Sequence, residues 1–229
     1  MATRRSMLKA LAATPTLALG CSGSSGGGFD AATRFDAGFV DSGMDAGGPD
    51  ALPDAAVCTP TTSDATGPFF EEGAPVRTML ATLDEPGERL LIEGRVLSAT
   101  SCSAALGGYT LDIWQADAEG EYHSGADFRL RGKVVTDAEG RFSFETIRPG
   151  NYPLGASFRP AHLHLRAYDE LGTERLTTQI YFEGDRFLFP EDPCGPPGCR
   201  SDDPDRIVRL DPAMVSGRAG VAGVLPLFL

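Results

Sequence analysis

The chain has 229 residues, enough for one domain with a substantial core after a low-complexity N-terminal part is set aside. It carries 32 Asp and Glu against 20 Lys and Arg, which gives a formal net charge of -12 at pH 7. This acidic balance argues against nucleic acid as a partner, because phosphate binding requires a basic surface.

The first 21 residues, MATRRSMLKALAATPTLALGC, have a basic start, a modestly apolar middle and small residues before Cys21, which predicts an export signal. Arg4 and Arg5 in TRRSMLK resemble the twin-arginine signal, which an export receptor reads. LALGC resembles a bacterial lipobox and would make Cys21 the lipid-anchored first residue of the mature protein. An ordinary secretory peptide cut nearby is the alternative. Both interpretations predict an exported protein. If LALGC is a lipobox, the protein is a periplasmic or cell-envelope lipoprotein.

Residues 22–57 consist mostly of Gly, Ala, Ser and Asp, with few bulky apolar side chains. Such a segment cannot bury enough surface to offset the entropy lost on ordering. We interpret it as a flexible tether whose root-mean-square reach is roughly 30 to 36 Å. The remaining residues, 58–229, are expected to form one folded domain, so any lipid on Cys21 would attach it to the membrane through this tether.

The domain contains short candidate strands separated by turn residues, several of them alternating apolar and polar side chains. In chain order these are RLLIEGRVLSA, YTLDIWQAD, GKVVTD, RFSFETI, AHLHLRAYD, LTTQIYFEG, RIVRL and GVLPLFL. No long stretch has a helical period, and VRTMLATL at 76–83 is the best short one. The pattern predicts an all-β protein, an antiparallel β-sandwich with its active site built from loops and strand ends.

Four cysteines remain in the domain, and an even number in an exported chain indicates disulfides. Sequence alone allows three pairings. Cys194 and Cys199 bracket GPPG and would close a small loop, which leaves Cys58 for Cys102.

Two of the three histidines of the chain lie in AHLHLRAY, separated by one leucine. On a strand His162 and His164 would share one face, roughly 6 to 7 Å apart along the chain, while the leucines beside them face the core. That geometry suits two ligands of one metal ion. A pair of strand histidines without a shared ligand fits this segment equally well, so partners from elsewhere in the chain must decide.

Three segments provide such partners: DIWQADAEGEYH with Tyr122, TIRPGNYP with Tyr152, and FRPAHLHL with both histidines. Together, and in this order, they resemble the intradiol ring-cleavage dioxygenases, the family of protocatechuate and catechol dioxygenases. The resemblance begins at TGPFF and extends through LTTQIYFEGD, about residues 66–184. TDAEGRFSFETIRPGNY taken alone also resembles strand pairs of exported modules that have no catalytic site.

The resemblance implies that Tyr122, Tyr152, His162 and His164 are the protein ligands of a non-haem ferric ion, Fe(III). Anionic oxygen donors favour the oxidised metal, and imidazoles complete a mixed site. It further implies that Tyr152 is the axial ligand that leaves when substrate binds. Arg159 would then stabilise negative charge on the ring as it reacts.

Gln179 matches a family glutamine near this arginine. The implied reaction cleaves a catechol-type ring between its hydroxyl-bearing carbons with O2 and gives a cis,cis-muconate-type product. The expected partners are therefore a catechol-type small molecule and O2. A β-sandwich of the same ancestry that binds ligands without turnover is the alternative, and an exported metal-binding or structural module is a third interpretation.

Overall fold

The computed structural model describes residues 58–229. The predicted export signal, the tether and Cys21 lie outside these residues. Within them the chain forms eleven strands and one short 3₁₀ turn at Pro204–Arg206. The strands are β1 Arg89–Leu97, β2 Thr110–Gln115, β3 Arg131–Val135, β4 Arg141–Ile147, β5 Tyr152–Leu154, β6 Ser157–Arg159, β7 His162–Tyr168, β8 Glu174–Phe182, β9 Ile207–Val208, β10 Asp211–Val215 and β11 Arg218–Phe228. None of the helical structure in this part of the chain could span a membrane.

The strands form two large sheets and a separate hairpin. One sheet has the order β10-β11-β1-β4, the other β3-β2-β7-β8-β9, and β5 pairs with β6. The β-sandwich predicted from the sequence is thus confirmed. Most pairs are antiparallel, but β1 runs parallel to β11 and β8 parallel to β9. These two pairs join strands that are distant in sequence, so their direction could not be predicted from local turns.

The core lies between the two large sheets and contains the inward side chains of both. Leu90, Ile92 and Phe144 come from the first sheet, and Leu163 and Leu165 of β7 come from the second. In β4 the alternation is clear, since Phe142 and Phe144 are buried while Arg141 and Ser143 are exposed. Burial of these apolar side chains is the main favourable contribution to folding.

Residues 76–83, the best short candidate for a helical period in the sequence, do not form a helix. This segment is extended and bridges the two sheets, pairing Val76 with Lys133 and Met79 with Glu145. Backbone N–H groups of Arg77 and Leu80 donate to carbonyls of β3 and β4 at 2.9 and 2.8 Å. The edges of both sheets thus supply hydrogen-bond partners that outweigh a weak helical preference.

Both predicted disulfides are present. Cys58 pairs with Cys102 and Cys194 pairs with Cys199, each with Cα atoms 5.4 Å apart. The first attaches the start of the described chain to the loop after β1. The second closes a small turn in the long connection between β8 and β9.

Candidate metal centre

Strand β7 is buried on both faces, which is unusual for a sandwich strand. Leu163 and Leu165 point into the core, and His162 and His164 point the other way, yet they are only 3% and 2% exposed. Their rings are 4.8 Å apart and nearly perpendicular. The two imidazoles therefore share an enclosed space beneath the loops that cover this sheet.

Tyr122 completes a group of three donors. Its hydroxyl oxygen lies 3.1 Å from Nε2 of His162 and 3.0 Å from Nε2 of His164. Two ligands at right angles, each about 2.1 Å from a metal ion, would be separated by roughly 3 Å. The separations in this group therefore fit neighbouring ligands of one ion.

The tautomer of His162 supports the same conclusion. Its Nδ1 donates a hydrogen bond to the carbonyl oxygen of Pro160 at 2.7 Å, so the Nε2 lone pair faces Tyr122. His164 stacks on Trp114, with ring centroids 4.8 Å apart and planes within 4°. Its Nδ1 has no hydrogen-bond partner among residues 58–229.

Burial sets the protonation of the group. Desolvation, with a contribution from Arg159, lowers the pKa of His162 to about 4, and desolvation and the neighbouring imidazole hold the pKa of His164 well below its usual value. Burial also raises the pKa of Tyr122 above its ordinary range. At neutral pH without a cation, two neutral imidazoles face one phenol with a single proton. A bound cation would satisfy all three donors and stabilise the phenolate.

The donor set depends on tyrosine. Over residues 58–229, no group of three or more His, Cys, Asp or Glu side chains is placed to hold a metal ion. Two imidazoles and phenol oxygens form a mixed N/O site of the kind that suits iron. The residues present therefore fit the ferric ion that the sequence resemblance implies.

Tyr152 lines the same cavity from β5 but stands apart from the hydrogen-bonded group. Its ring centroid is 5.8 Å from that of Tyr122, in an edge-to-face arrangement. Phe69 contacts both, since it stacks on Tyr122 at 4.2 Å and meets Tyr152 edge-on at 5.6 Å. The structure thus brings all four predicted ligands to one cavity, three of them in direct contact.

Tyr122 is held by the turn after β2. The carboxylate of Asp117 accepts hydrogen bonds from the backbone N–H groups of Glu119 and Glu121 at 3.0 and 2.9 Å. This turn packs against the chain just before Tyr152 so closely that a Cβ on Gly120 would lie 2.2 Å from the carbonyl oxygen of Asn151. Glycine at this position therefore lets the two tyrosine segments approach.

Arg159 is buried beside the histidines at the end of β6. Its guanidinium binds Asp192, at 3.2 and 3.3 Å, and donates to Oε1 of Gln179 at 2.9 Å and to the hydroxyl of Tyr181 at 3.2 Å. Desolvation lowers the pKa of Arg159, but the hydrogen bond to Asp192 and the charge of that carboxylate outweigh it, and the net direction is upward. The predicted pair of Arg159 and Gln179 is therefore in direct contact.

The cavity enclosed by these residues has a volume of about 190 Å³. Besides the four predicted ligands, Arg159 and Gln179, its lining is largely apolar: Ala65, Gly67, Pro68, Phe69, Leu154, Cys194 and Cys199. A larger groove of about 700 Å³ runs along β1, β4 and β11, but no histidine or tyrosine lines it. We therefore assign the chemistry to the smaller cavity.

One supporting residue, Arg131, could not be recognised in the sequence. Arg131, only 2% exposed, donates to the carbonyl oxygens of Phe69 and His123 at 2.6 and 2.9 Å, and so braces the loops on both sides of Tyr122. His123 itself contacts Asp117 at 2.6 Å and Arg129 at 2.7 Å, outside the donor group. No periodicity or motif marks an arginine that acts through backbone carbonyls.

The comparison with known proteins agrees with this geometry. The family model described as dioxygenase matches residues 65–195, more than half of the chain. Chlorocatechol 1,2-dioxygenase of Rhodococcus opacus is 37% identical over 153 residues, which cover 56% of this chain and 58% of the relative. The protocatechuate 3,4-dioxygenase beta chain of Burkholderia cepacia is 38% identical over 114 residues, 44% of this chain and 48% of the relative. The chain thus spans about half the length of these curated relatives.

Solved structures give the same result. The dioxygenase domain of a dioxygenase and carbohydrate-binding protein fusion from Streptomyces sp. SirexAA-E matches with a TM-score of 0.63 and 33% identity, covering 75% of this chain and 98% of that one. The 3-chlorocatechol 1,2-dioxygenase of Rhodococcus opacus 1CP matches with a TM-score of 0.63 and 30% identity, covering 76% and 74%. Fold and site define a β-sandwich protein with a histidine and tyrosine centre. The chain belongs to the intradiol dioxygenase family.

Substitution of Gly120 tests the close approach of the two tyrosine segments. Gly120→Ala should reduce the free energy of unfolding by about 3 kcal/mol or more, because the methyl group meets backbone and the residue has a φ of +88°. Gly172→Ala is the matched control, since Gly172 has a φ of +78° and open space around it, and should cost about 1 kcal/mol. Denaturant unfolding measures both. Equal losses in the two variants would contradict the close-approach account.

Proposed function

We propose that this chain is an intradiol dioxygenase that holds ferric iron and cleaves a small, uncharged catechol with O2. The observation that carries the proposal is the contact of the Tyr122 hydroxyl with both Nε2 atoms, at 3.1 and 3.0 Å, in a cavity that Tyr152 and Arg159 also line. Tyr122, Tyr152, His162 and His164 would hold the ion. When bound, ferric iron supplies a Lewis acid that withdraws electron density from a chelated catecholate.

The residues of the chain have distinct tasks in this proposal. Tyr152 is partly exposed and outside the hydrogen-bonded group. Bound to the ion as a phenolate, it would be the ligand free to move and to take up a proton from an incoming catechol, leaving as the neutral phenol. Arg159 lines the cavity wall, where a fixed N–H of its guanidinium would stabilise negative charge that develops on the bound ring. Gln179 accepts a hydrogen bond from Nη1 of Arg159 at its Oε1 and so helps to fix the orientation of the guanidinium.

The size and lining of the cavity favour an uncharged single ring as substrate. Its volume of about 190 Å³ is below the roughly 300 to 1,000 Å³ of common ligand pockets. Arg159 is the single cationic side chain in the described lining, and it is already paired with Asp192. A carboxylate on the ring would therefore lose its hydration on binding without gaining an unpaired cationic side chain, which is unfavourable.

Location is part of the same proposal. An exported protein with two disulfides is expected to work in an oxidising compartment, because such bonds persist there. We propose that residues 1–21 direct export by the twin-arginine route and that Cys21 carries the lipid. Residues 22–57 would then hold the domain, residues 58–229, away from the membrane.

Removal of one histidine tests the metal assignment. His162→Ala should reduce the iron content per chain to below about a tenth of the parent's, because a ligand is lost directly, and should abolish the visible phenolate-to-iron absorption. His123→Ala is the matched control, since His123 contacts Asp117 and Arg129 and lies outside the donor group. Elemental analysis and the visible spectrum measure both variants. Equal iron in parent and His162→Ala would contradict the assignment.

Removal of the arginine separates catalysis from iron binding. Arg159→Ala should keep its iron but lose about a hundredfold or more in kcat, as is common for a preorganised electrostatic contact. Oxygen uptake is measured with catechol, hydroxyquinol and protocatechuate, and the product is identified as a muconic acid or as the semialdehyde of extradiol cleavage. Arg209→Ala, at a side chain 75% exposed, is the control and should keep the parent rate.

The same assay decides between turnover and binding alone. We expect catechol or hydroxyquinol to be cleaved faster than protocatechuate. If ferric parent protein consumes no oxygen with any of the three, the proposed activity fails and a binding module of the same ancestry becomes the better account.

A further inference from the structure

The connection between β8 and β9 brings a carboxylate into the wall of the site. The Asp192 side chain is 0% exposed and pairs with the guanidinium of Arg159, whose side chain is 8% exposed. Nε and Nη2 of Arg159 bind the two carboxylate oxygens at 3.2 and 3.3 Å. This two-point pairing fixes the plane of the guanidinium as well as its position.

The surrounding loop fixes the orientation of Asp192. Its Oδ1 accepts a hydrogen bond from the backbone N–H of Cys194 at 3.0 Å, and its carbonyl oxygen accepts one from Gly195 at 3.1 Å. Cys194 is bonded to Cys199, which is 1% exposed, and both cysteines line the cavity. The turn closed by the disulfide therefore forms part of the cavity wall. It also orients the carboxylate of Asp192, which binds Arg159.

The donors of Arg159 are almost fully used. A guanidinium has five N–H groups. Four of them point to Asp192, Gln179 and Tyr181, which leaves one on Nη1 without a partner within residues 58–229. Arg159 can therefore offer one hydrogen bond to a bound ring.

The other buried carboxylate of this region has a different partner. Asp64 pairs with Arg206 at 2.5 Å, both side chains 0% exposed, and accepts from Tyr181 at 2.8 Å. Asp64 thus has an arginine partner other than Arg159, although Arg206 also pairs with Asp203 at 3.3 Å. Asp192 is the carboxylate that balances Arg159, so the pair adds little net charge to the cavity.

We infer that Asp192 is a positioning residue that fixes Arg159 and cancels its charge, and thereby makes the site select uncharged rings over carboxylated ones. This inference rests on the proposed function and adds a determinant of its substrate class. The charge-balanced pair offers a ring carboxylate one N–H of Arg159 but no net positive charge, and the apolar wall around it adds no second cation. One such hydrogen bond does not offset the cost of desolvating a carboxylate. A neutral ring meets the same wall without that cost.

Asp192→Asn tests the inference, because asparagine keeps the size of the side chain and an oxygen for the Cys194 N–H but removes the charge. Binding of 4-hydroxybenzoate and of phenol to iron-loaded full-length protein is measured by calorimetry. The ratio of the two dissociation constants should shift toward 4-hydroxybenzoate by about tenfold or more, because Arg159 becomes uncompensated. For catechol, kcat should fall while KM stays close to the parent value.

Two further variants show where the effect originates. Glu191→Gln removes a neighbouring charge from an exposed position of the same loop and should leave the ratio unchanged. Arg159→Gln combined with Asp192→Asn should lose the gain in 4-hydroxybenzoate binding, because the gain requires the arginine. An unchanged ratio in folded Asp192→Asn, or the same gain in the double variant, would overturn the inference.

If Asp192→Asn does not fold, the variant with both Cys194→Ser and Cys199→Ser replaces it. This change keeps every charge but frees the turn that orients Asp192, so the ratio should move in the same direction by a smaller factor, and no movement would overturn the inference. The ligand ratio needs no turnover. Absence of oxygen uptake in the parent would therefore defeat the proposed function, while the ratio would still decide the role of Asp192.

Discussion

The Tyr122 hydroxyl oxygen lies 3.1 Å from Nε2 of His162 and 3.0 Å from Nε2 of His164, in one buried space beside strand β7. The other features of the site follow from this crowding. Burial keeps both histidines neutral, so their ring nitrogens are available as ligands. The fold must hold these three polar groups together against the cost of desolvation.

The fold does this by bracing each loop from the opposite side. Asp185 accepts hydrogen bonds from Nδ2 of Asn151 and from the N–H of Ala161, both at 2.8 Å, and so ties the residues beside Tyr152 and His162 to one carboxylate. Arg131 similarly ties the loops of Phe69 and His123. Strand β7 positions the histidines, while hydrogen bonds that involve Asp185 and Arg131 anchor the segments beside the tyrosines.

The sequence predicted the parts of this structure that depend on local pattern. Alternation in β4 and β7 identified the core faces, and Cys194 and Cys199 lie close enough in sequence to suggest their pairing. Local patterns of apolar and polar residues could not show that residues 76–83 pair with both sheets, since sheet edges are formed only in the folded chain. The contact of Asp192 with Arg159 could not be predicted either, because Asp192 lies 33 positions from Arg159 in an irregular loop.

The most direct test of the account is a crystal structure of the iron-loaded protein with anomalous data at the iron edge. We predict one strong peak in the cavity, about 2 to 2.3 Å from the oxygens of Tyr122 and Tyr152 and the Nε2 atoms of His162 and His164. A peak elsewhere, or one that contacts the histidines without Tyr122, would contradict the account.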